Sequence, residues 1–393
     1  MDVKTLILGA GAAGLFCAAH AGAGTLVIDH AANPGEKIRI SGGGRCNFTN
    51  LGAGPGNFLS ANRHFAKSAL SRYTPRDFVT LVDRHGIAWH EKTLGQLFCD
   101  GSARQIVSML LEEVARAGAD LWLSTTLREV AHDGSVFRVV LEREGARREV
   151  RARHLVLATG GKSIPKMGAT GLALEIAAQF GLGLTETRPG LVPFTFPEGR
   201  FAALAGVAVP ARVAAGKAAF DEALLFTHRG LSGPAVLQAS SYWREGGEVA
   251  VNLLPGQDAL AGLKAARSTA GKRSVSAVLA GLLPARLAEA IAAETGPQGN
   301  IADQSDRALA SLAARLTDWR LRPGGTEGYR TAEVMVGGVD TRGLDGASME
   351  ARAVPGLFVI GEAVDVTGWL GGYNFQWAWA SAHAAGRAIA ARP

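Results

Sequence analysis

Thr5-Leu6-Ile7-Leu8, then Gly9-Ala10-Gly11-Ala12-Ala13-Gly14 and an alanine-rich run to Ala21, then Thr25-Leu26-Val27-Ile28-Asp29: the fold is decided in these first thirty residues. A short unbroken apolar run reads as a buried parallel strand, and the alanine-rich run reads as the helix that packs back on it. The three glycines differ in what they permit. Gly9 makes the tight turn, Gly11 lets the backbone approach a pyrophosphate, and Gly14 lets helix and strand pack closely. The helix N-terminus then offers free N–H groups and a positive dipole end to phosphates. Asp29, about 20 residues past the first glycine, is placed to accept a hydrogen bond from a ribose hydroxyl. It would repel a 2′-phosphate, which disfavours NADP. The unit by itself leaves NAD and FAD open.

The chain has 393 residues, so two or three domains are expected, with a core that needs neither disulfide nor metal. Three cysteines, Cys17, Cys46 and Cys99, share no CxxC spacing, which points to a reducing compartment. The histidines show no metal-ligand spacing, and no metal is expected. The glycine fingerprint sits where a signal peptide would carry its apolar core, and no later run reaches membrane-spanning length. A soluble cytoplasmic protein is the expectation. Net charge is +6, and the basic residues are scattered, dense only over Arg147-Arg148-Glu149-Val150-Arg151-Ala152-Arg153, which reads as a hairpin edge facing water. Charge therefore makes nucleic acid an unlikely partner.

Further along, Ser41-Gly42-Gly43-Gly44-Arg45-Cys46-Asn47 cannot be a regular element, because a glycine run loses too much backbone entropy. It suits a loop whose N–H groups line a ligand. Helices are expected over Pro75 to His85 and Gln105 to Ala117, and alternating segments over 120–130 and 135–157. The last of these runs into Ala158-Thr159-Gly160-Gly161, as a strand returning to the nucleotide sheet. From about residue 191 the texture changes to short alternating runs, then to an Ala/Leu/Arg-rich helical stretch. The expected organisation is a first part of a nucleotide domain over 1–190, an insert over 191–328 (β part about 191–255, helical part about 256–320), and a return over 329–393.

The return selects the cofactor. A strand ending in Gly361-Glu362, a loop to Asp365, and Gly371-Gly372-Tyr373-Asn374-Phe375-Gln376 opening an apolar helix make a second glycine-opened helix N-terminus. An NAD domain has no need of this. In an FAD site the acidic turn can hold the ribityl and phosphate end, while the helix dipole favours the negative charge of a reduced flavin. FAD is the cofactor predicted.

Four stretches, Gly9 to Gly14, Ser41 to Asn47, Phe226-Thr227-His228-Arg229-Gly230-Leu231-Ser232-Gly233-Pro234, and Gly361 to Ala378, closely resemble the HI0933-like bacterial flavoproteins, a family with aminoacetone oxidases and proposed bile-acid double-bond reductases. The resemblance spans nearly the whole chain. It implies an α/β fold, a glutathione-reductase-type FAD/NAD(P)-binding Rossmann domain interrupted by an inserted β-barrel-like plus helical domain. Cys99 stands where the family usually has Pro, and Ala382 where it usually has Gly. The set predicted to hold FAD is Gly9, Gly11, Ala13, Gly14, Asp29 and His30 from the first unit, and Lys37, Gly42, Gly43, Gly44, Arg45, Cys46 and Asn47 from the glycine loop. Val130, Thr159 and Gly160 join them from the middle of the chain, and Gly361, Glu362, Asp365, Gly372, Tyr373, Asn374 and Gln376 from the return.

His228, which the resemblance places by the flavin, is the candidate acid or base, against a plain loop histidine. For Cys46 a packing role is favoured over redox, and for Trp369, Trp377 and Trp379 a core role over a cofactor wall. Only one dinucleotide fingerprint is visible, so reducing equivalents would come from an oxidisable substrate or a transient NAD(P)H. The function expected is an FAD-dependent oxidoreductase acting on a small or medium organic substrate at the interface of FAD domain and insert. The alternatives are a tRNA-modifying flavoprotein, a flavin-stabilised binding protein without turnover and, within the enzyme class, an amine oxidase against an NAD(P)H-dependent C=C reductase. The oligomeric state is not legible.

Overall fold

Main-chain pairing in the computed structural model, which describes residues 1–295 and 298–392, begins where the apolar runs predict it. Five parallel strands lie in the order Asp120–Trp122, Thr25–Ile28, Asp2–Leu8, Ala146–Leu157, Leu357–Val359. Leu6, Ile7, Leu26, Val27, Leu155, Val156 and Phe358 are fully buried, as in a sheet covered on both faces. The twelve-residue strand Ala146–Leu157 serves two layers. Its end Leu155–Leu157 pairs with Leu357–Val359, and its start pairs antiparallel with Phe137–Arg143, which is followed in the sheet by Thr125–His132. Residues 146–149 are exposed at the edge of that meander.

The alternating segment expected over 120–130 is two strands. Ser124, with φ +49°, breaks it, and the backbone N–H groups of Ser124 and Thr125 turn back to the carbonyls of Ala31 and Asp29. Helix Pro75–Arg84 starts at Thr74 with a reciprocal cap from Asp77, and helix Ala103–Arg116 starts at Ser102 with one from Gln105. Helix Ala12–Ala21 lies against the C-terminal helix Tyr373–Ala390, close enough that a Cβ on Gly386 would meet His20 Cβ at 2.6 Å. Trp379 stacks on Phe78 with centroids 4.4 Å apart, and its indole N–H donates to the Phe48 carbonyl. Trp377 donates to the Gly361 carbonyl, so both indoles belong to the core.

These elements form one compact unit, Met1–Arg188 with Val334–Pro393, and Pro189–Glu333 forms a second. In the second, seven antiparallel strands run in the order Trp319–Leu321, Val249–Asn252, Ala208–Ala215, Ala218–Phe226, Gly230–Ser232, Phe194–Thr195, Gly325–Thr326. The two edge strands are separated in the chain by residues 322–324 alone, so the sheet must curl to bring its ends together. Helices Ala259–Thr269, Val275–Leu279, Ala285–Thr295 and Asp306–Thr317 come between strands Val249–Asn252 and Trp319–Leu321, three of them capped by Asp258, Ser274 and Ser305. Among the described residues no helix is long and apolar enough to cross a membrane.

Trp379 fills the centre of the first unit and is hydrogen-bonded there. Trp379→Ala should lower unfolding stability by about 3–5 kcal/mol, read as a shift of the urea midpoint at unchanged slope.

Candidate active site

The first glycine turn has the geometry its spacing predicts. Gly9 has φ +109° and lies where a Cβ would be 2.5 Å from the Ala158 carbonyl oxygen; a Cβ on Gly14 would be 1.8 Å from the Gly9 oxygen; a Cβ on Gly11 would meet nothing within 4 Å. Two positions are closed by packing and one opens onto free space. Helix Ala12–Ala21 starts at Gly11 with no side-chain cap, so the N–H groups of its first turn are available to an anion. Asp29 faces this turn, its carboxylate accepting from the N–H groups of Ala10 (2.7 Å) and Ala31 (2.9 Å). The lone pairs left over are what a ribose could use. His30 stands exposed beside it, Nδ1 3.3 Å from Asp29. These donors, this open backbone and this carboxylate fit FAD.

Ala13 touches the other end of the chain: a Cβ on Gly361 would lie 3.0 Å from Ala13 Cβ. The next residue, Glu362, carries a polar network. Its carboxylate accepts from Lys37 Nζ (2.8 Å), the Ser163 hydroxyl (2.8 Å) and the Met335 N–H (3.0 Å), and Lys37 also donates to Ser163 (2.7 Å). Burial opposes ionisation of Glu362. The Lys37 ammonium and these hydrogen bonds outweigh it and hold the carboxyl below its ordinary range. Gly161 leaves the room required, since a Cβ there would be 2.8 Å from Glu362 Oε1. Thr159 turns its hydroxyl to the Ala173 N–H, and Gly160 takes φ +74°.

The glycine loop is helical only from Glu36 to Ile40; Gly42, Gly43 and Gly44 all have positive φ. Gly42 packs on Phe98, where a Cβ would be 2.7 Å from the ring, while a Cβ on Gly43 would meet nothing within 4 Å and one on Gly44 only the Arg39 carbonyl oxygen, at 4.0 Å. Arg45 is exposed. The Asn47 carboxamide, oriented to satisfy its neighbours, accepts from the Gly372 N–H and donates to the carbonyls of Thr49 and Leu97. Gly372 itself, φ +94°, could carry no side chain: a Cβ would meet the Thr49 oxygen at 2.4 Å. Asn374 bonds Gly368 and Trp369 and so fixes the turn that opens the helix, with Tyr373 beside it. The first motif, the glycine loop and the C-terminal return therefore meet in one unit.

Three predicted ligands, Gln376, Cys46 and Asp365, have side chains committed to the protein itself, and Val130 is placed by its main chain alone. Gln376 is 0 % exposed, its amide spent on the Tyr73 carbonyl and the Thr49 hydroxyl, so it ties the scaffold and cannot reach a cofactor. Cys46 is buried with φ +52°, and burial pushes its thiol far up, so its side chain is packing. The Asp365 carboxylate is buried against the Ala61 N–H, and burial raises its pKa; it braces a loop. Val130 is buried in the meander with its carbonyl accepting from Gln179. His228 belongs to the second unit, exposed on a turn that Thr227 closes through the N–H groups of Arg229 and Gly230. Sequence reading missed Ser163, which donates to Glu362, and Asn50, which donates to the Gly371 carbonyl. Ser163 follows the Gly-Gly turn by two residues, the one available signal.

The family described as "HI0933-like protein Rossmann domain" matches residues 3–388. Two relatives are named "Ribosomal RNA dihydrouridine synthase". One, from Escherichia coli (strain K12), is 53 % identical over 96 % of both chains; the other, from Haemophilus influenzae, is 45 % identical over 98 % of both. A "3-dehydro-bile acid delta(4,6)-reductase" from Clostridium scindens is 29 % identical, covering 98 % of this chain and 99 % of its own. The structure of a 3-ketosteroid-delta4-(5alpha)-dehydrogenase from Rhodococcus jostii RHA1 superposes with a TM-score of 0.51 at 16 % identity, covering 100 % of this chain and 97 % of that one, a likeness of fold. The expectation that nucleic acid is an unlikely partner is overturned by the two RNA-named relatives. Net charge averages over the whole chain and is blind to local surface.

Two outcomes test the site. Asp29→Arg removes an acceptor held by two backbone N–H groups and crowds the phosphates. FAD should bind at least about tenfold more weakly, given about 1.5–3 kcal/mol for a hydrogen bond to a charged group, read by flavin fluorescence on reconstitution. Glu362 has a lowered folded-state pKa, so its stabilisation is complete above the ordinary carboxylate value of about 4.3 and is lost as pH falls through the lower one. Glu362→Gln should flatten that acid limb of a melting-temperature against pH profile and lower the melting temperature at neutral pH.

Proposed function

The chain belongs to the HI0933-like Rossmann family of FAD-dependent oxidoreductases, and from its relatives within that family we propose that it reduces uridine to dihydrouridine in ribosomal RNA. The observation that carries this is 53 % identity over 96 % of both chains with a relative so named. The three relatives share a chemical theme in their names, the saturation of a carbon–carbon double bond, which favours a reductase over an oxidase.

Uridine becomes dihydrouridine when its C5–C6 double bond takes up two electrons and two protons, and a reduced nicotinamide is the electron source by class. Bound FAD supplies the hydride-level chemistry. The chain's residues do the rest. The N–H groups after Gly11 would hold the pyrophosphate, and Asp29 would orient the ribose. The uncapped N-terminus of Tyr373–Ala390, opened by Gly371 and Gly372, favours negative charge before it. The Lys37–Glu362–Ser163 network ties the helical residues Glu36 to Ile40 to the C-terminal return without adding net charge. The second proton needs an acid, for which His228 is the candidate.

The test is direct. Purified protein with FAD and NADH or NADPH is incubated anaerobically with rRNA from a strain lacking the gene, and nucleosides are analysed by mass spectrometry. Dihydrouridine should form at one or a few positions; its absence, with flavin reduced, refutes the assignment. His228→Ala should slow formation by about 100-fold with FAD retained if it is the acid, and unchanged turnover returns it to a plain loop histidine.

A further inference from the structure

Leu94 is the most exposed large apolar side chain among the described residues, 63 %, and it also has φ +51°. Each fact is unfavourable for folding: leucine gains nothing in water, and the left-handed region suits Gly or Asn. Both are enforced. Leu94 tips the hairpin between strands Trp89–Glu91 and Gln96–Cys99. The Lys92 N–H donates to Gln96, the Gln96 N–H to Thr93, and the Gly95 N–H to the Glu91 carboxylate. From outside, the Leu51 N–H donates to Gly95, and Asn50, itself buried, donates to the carbonyls of Leu94 and Gly371. Asn50 thus locks the hairpin tip to the turn that opens the C-terminal helix.

The same hairpin is tied to the glycine strip. Phe98 packs under Gly42 and carries Lys92 Nζ 5.4 Å from its centroid. Leu51, whose N–H donates to the Gly95 carbonyl, is also exposed, so two of the six large exposed apolar side chains among the described residues stand at this tip. Arg45 and Lys92 are exposed cations of this hairpin, and neither is in a salt bridge among the described residues. A rigid apolar tip with a cation, Lys92, beside it and a second, Arg45, at the far end of the same strand, where the Cys99 N–H donates to the Arg45 carbonyl, is complementary to stacked bases along a phosphate backbone.

Resting on the reading that the substrate is ribosomal RNA, we propose that Leu94 is a wedge that enters the base stack beside the target uridine and holds it out of the helix, with Lys92 on the adjacent phosphate and Arg45 on the backbone further along the hairpin. A base inside a duplex cannot present its ring face to a cofactor, and apolar side chains inserted at a base step are a general means of unstacking.

The experiment compares two RNAs holding the same target, a folded rRNA fragment and a short unstructured oligonucleotide, with wild type, Leu94→Gly, Leu94→Met and, as a remote exposed control, Leu282→Ala. Leu94→Gly relaxes the backbone, so folding is not at risk. It should slow dihydrouridine formation on the folded fragment at least about tenfold, leave the oligonucleotide within about twofold, and leave flavin content and reduction by the nicotinamide unchanged. Leu94→Met should restore most of the folded-fragment rate, and Leu282→Ala should match wild type. Unchanged rates for Leu94→Gly, or equal loss on both RNAs, overturn the wedge while leaving the substrate assignment standing. A shift of Leu94→Gly from oligomer to monomer in size-exclusion overturns it in favour of a contact between copies. No dihydrouridine with wild type on either RNA overturns the substrate assignment, and the wedge with it.

Discussion

Helix Ala12–Ala21 can lie on the first strand because no side chain stands between them. The Gly9 carbonyl oxygen occupies the place a Cβ on Gly14 would need, and the Ala158 carbonyl occupies the place a Cβ on Gly9 would need. Three backbone segments therefore meet with no padding. That approach aims the open N-terminus after Gly11 along the ends of strands Asp2–Leu8 and Ala146–Leu157, and it brings Ala13 against Gly361. A methyl at either glycine would have to push main chain rather than a side chain, which close-packed interiors resist.

Once the first and last motifs touch, charged groups are trapped between them, and their satisfaction becomes the second constraint. Lys37 and Glu362 compensate each other, and Ser163 and the Met335 N–H take up further capacity of the carboxylate. A half-satisfied network at this depth would cost more than an apolar contact. Asn50 plays the corresponding neutral part on the other side, accepting from the Gly52 N–H and donating to Leu94 and Gly371. The first network ties the helix before the glycine strip to the C-terminal return, and the second ties the hairpin tip to the turn that opens the C-terminal helix.

How much of this was legible depends on whether backbone or side chain carries the information. Gly9, Gly11 and Gly14 could be given separate roles from spacing, because what a glycine must permit is set by the local turn, and the structure closes two and opens one accordingly. The nucleotide-binding α/β fold and the choice of FAD follow from the same local logic applied to both ends of the chain. Gln376, Asp365 and Cys46 misled for the opposite reason: a polar or thiol side chain in a motif looks like a ligand, but its partner is fixed by residues far away in sequence, Tyr73 for Gln376 and Ala61 for Asp365. Ser124 shows the same at the level of strands. One left-handed residue splits a continuous alternating pattern, and serine gives no warning of it.

The reading from charge failed at a different level. A surplus of +6 over 393 residues says how many cations exceed anions, whereas recognition depends on which cations remain uncompensated in place. Arg128 with Glu142, Arg212 with Asp221 and Arg267 with Asp306 are paired at 2.6–3.0 Å and are locally silent. Arg45 and Lys92 count equally in the composition but stand at a rigid edge with exposed leucines and no such partner among the described residues. A surface that grips one site needs only a few such cations, set by geometry that a sum over the chain erases. The edge around the glycine strip, rather than the mean charge, is therefore where the chain's selectivity is to be sought.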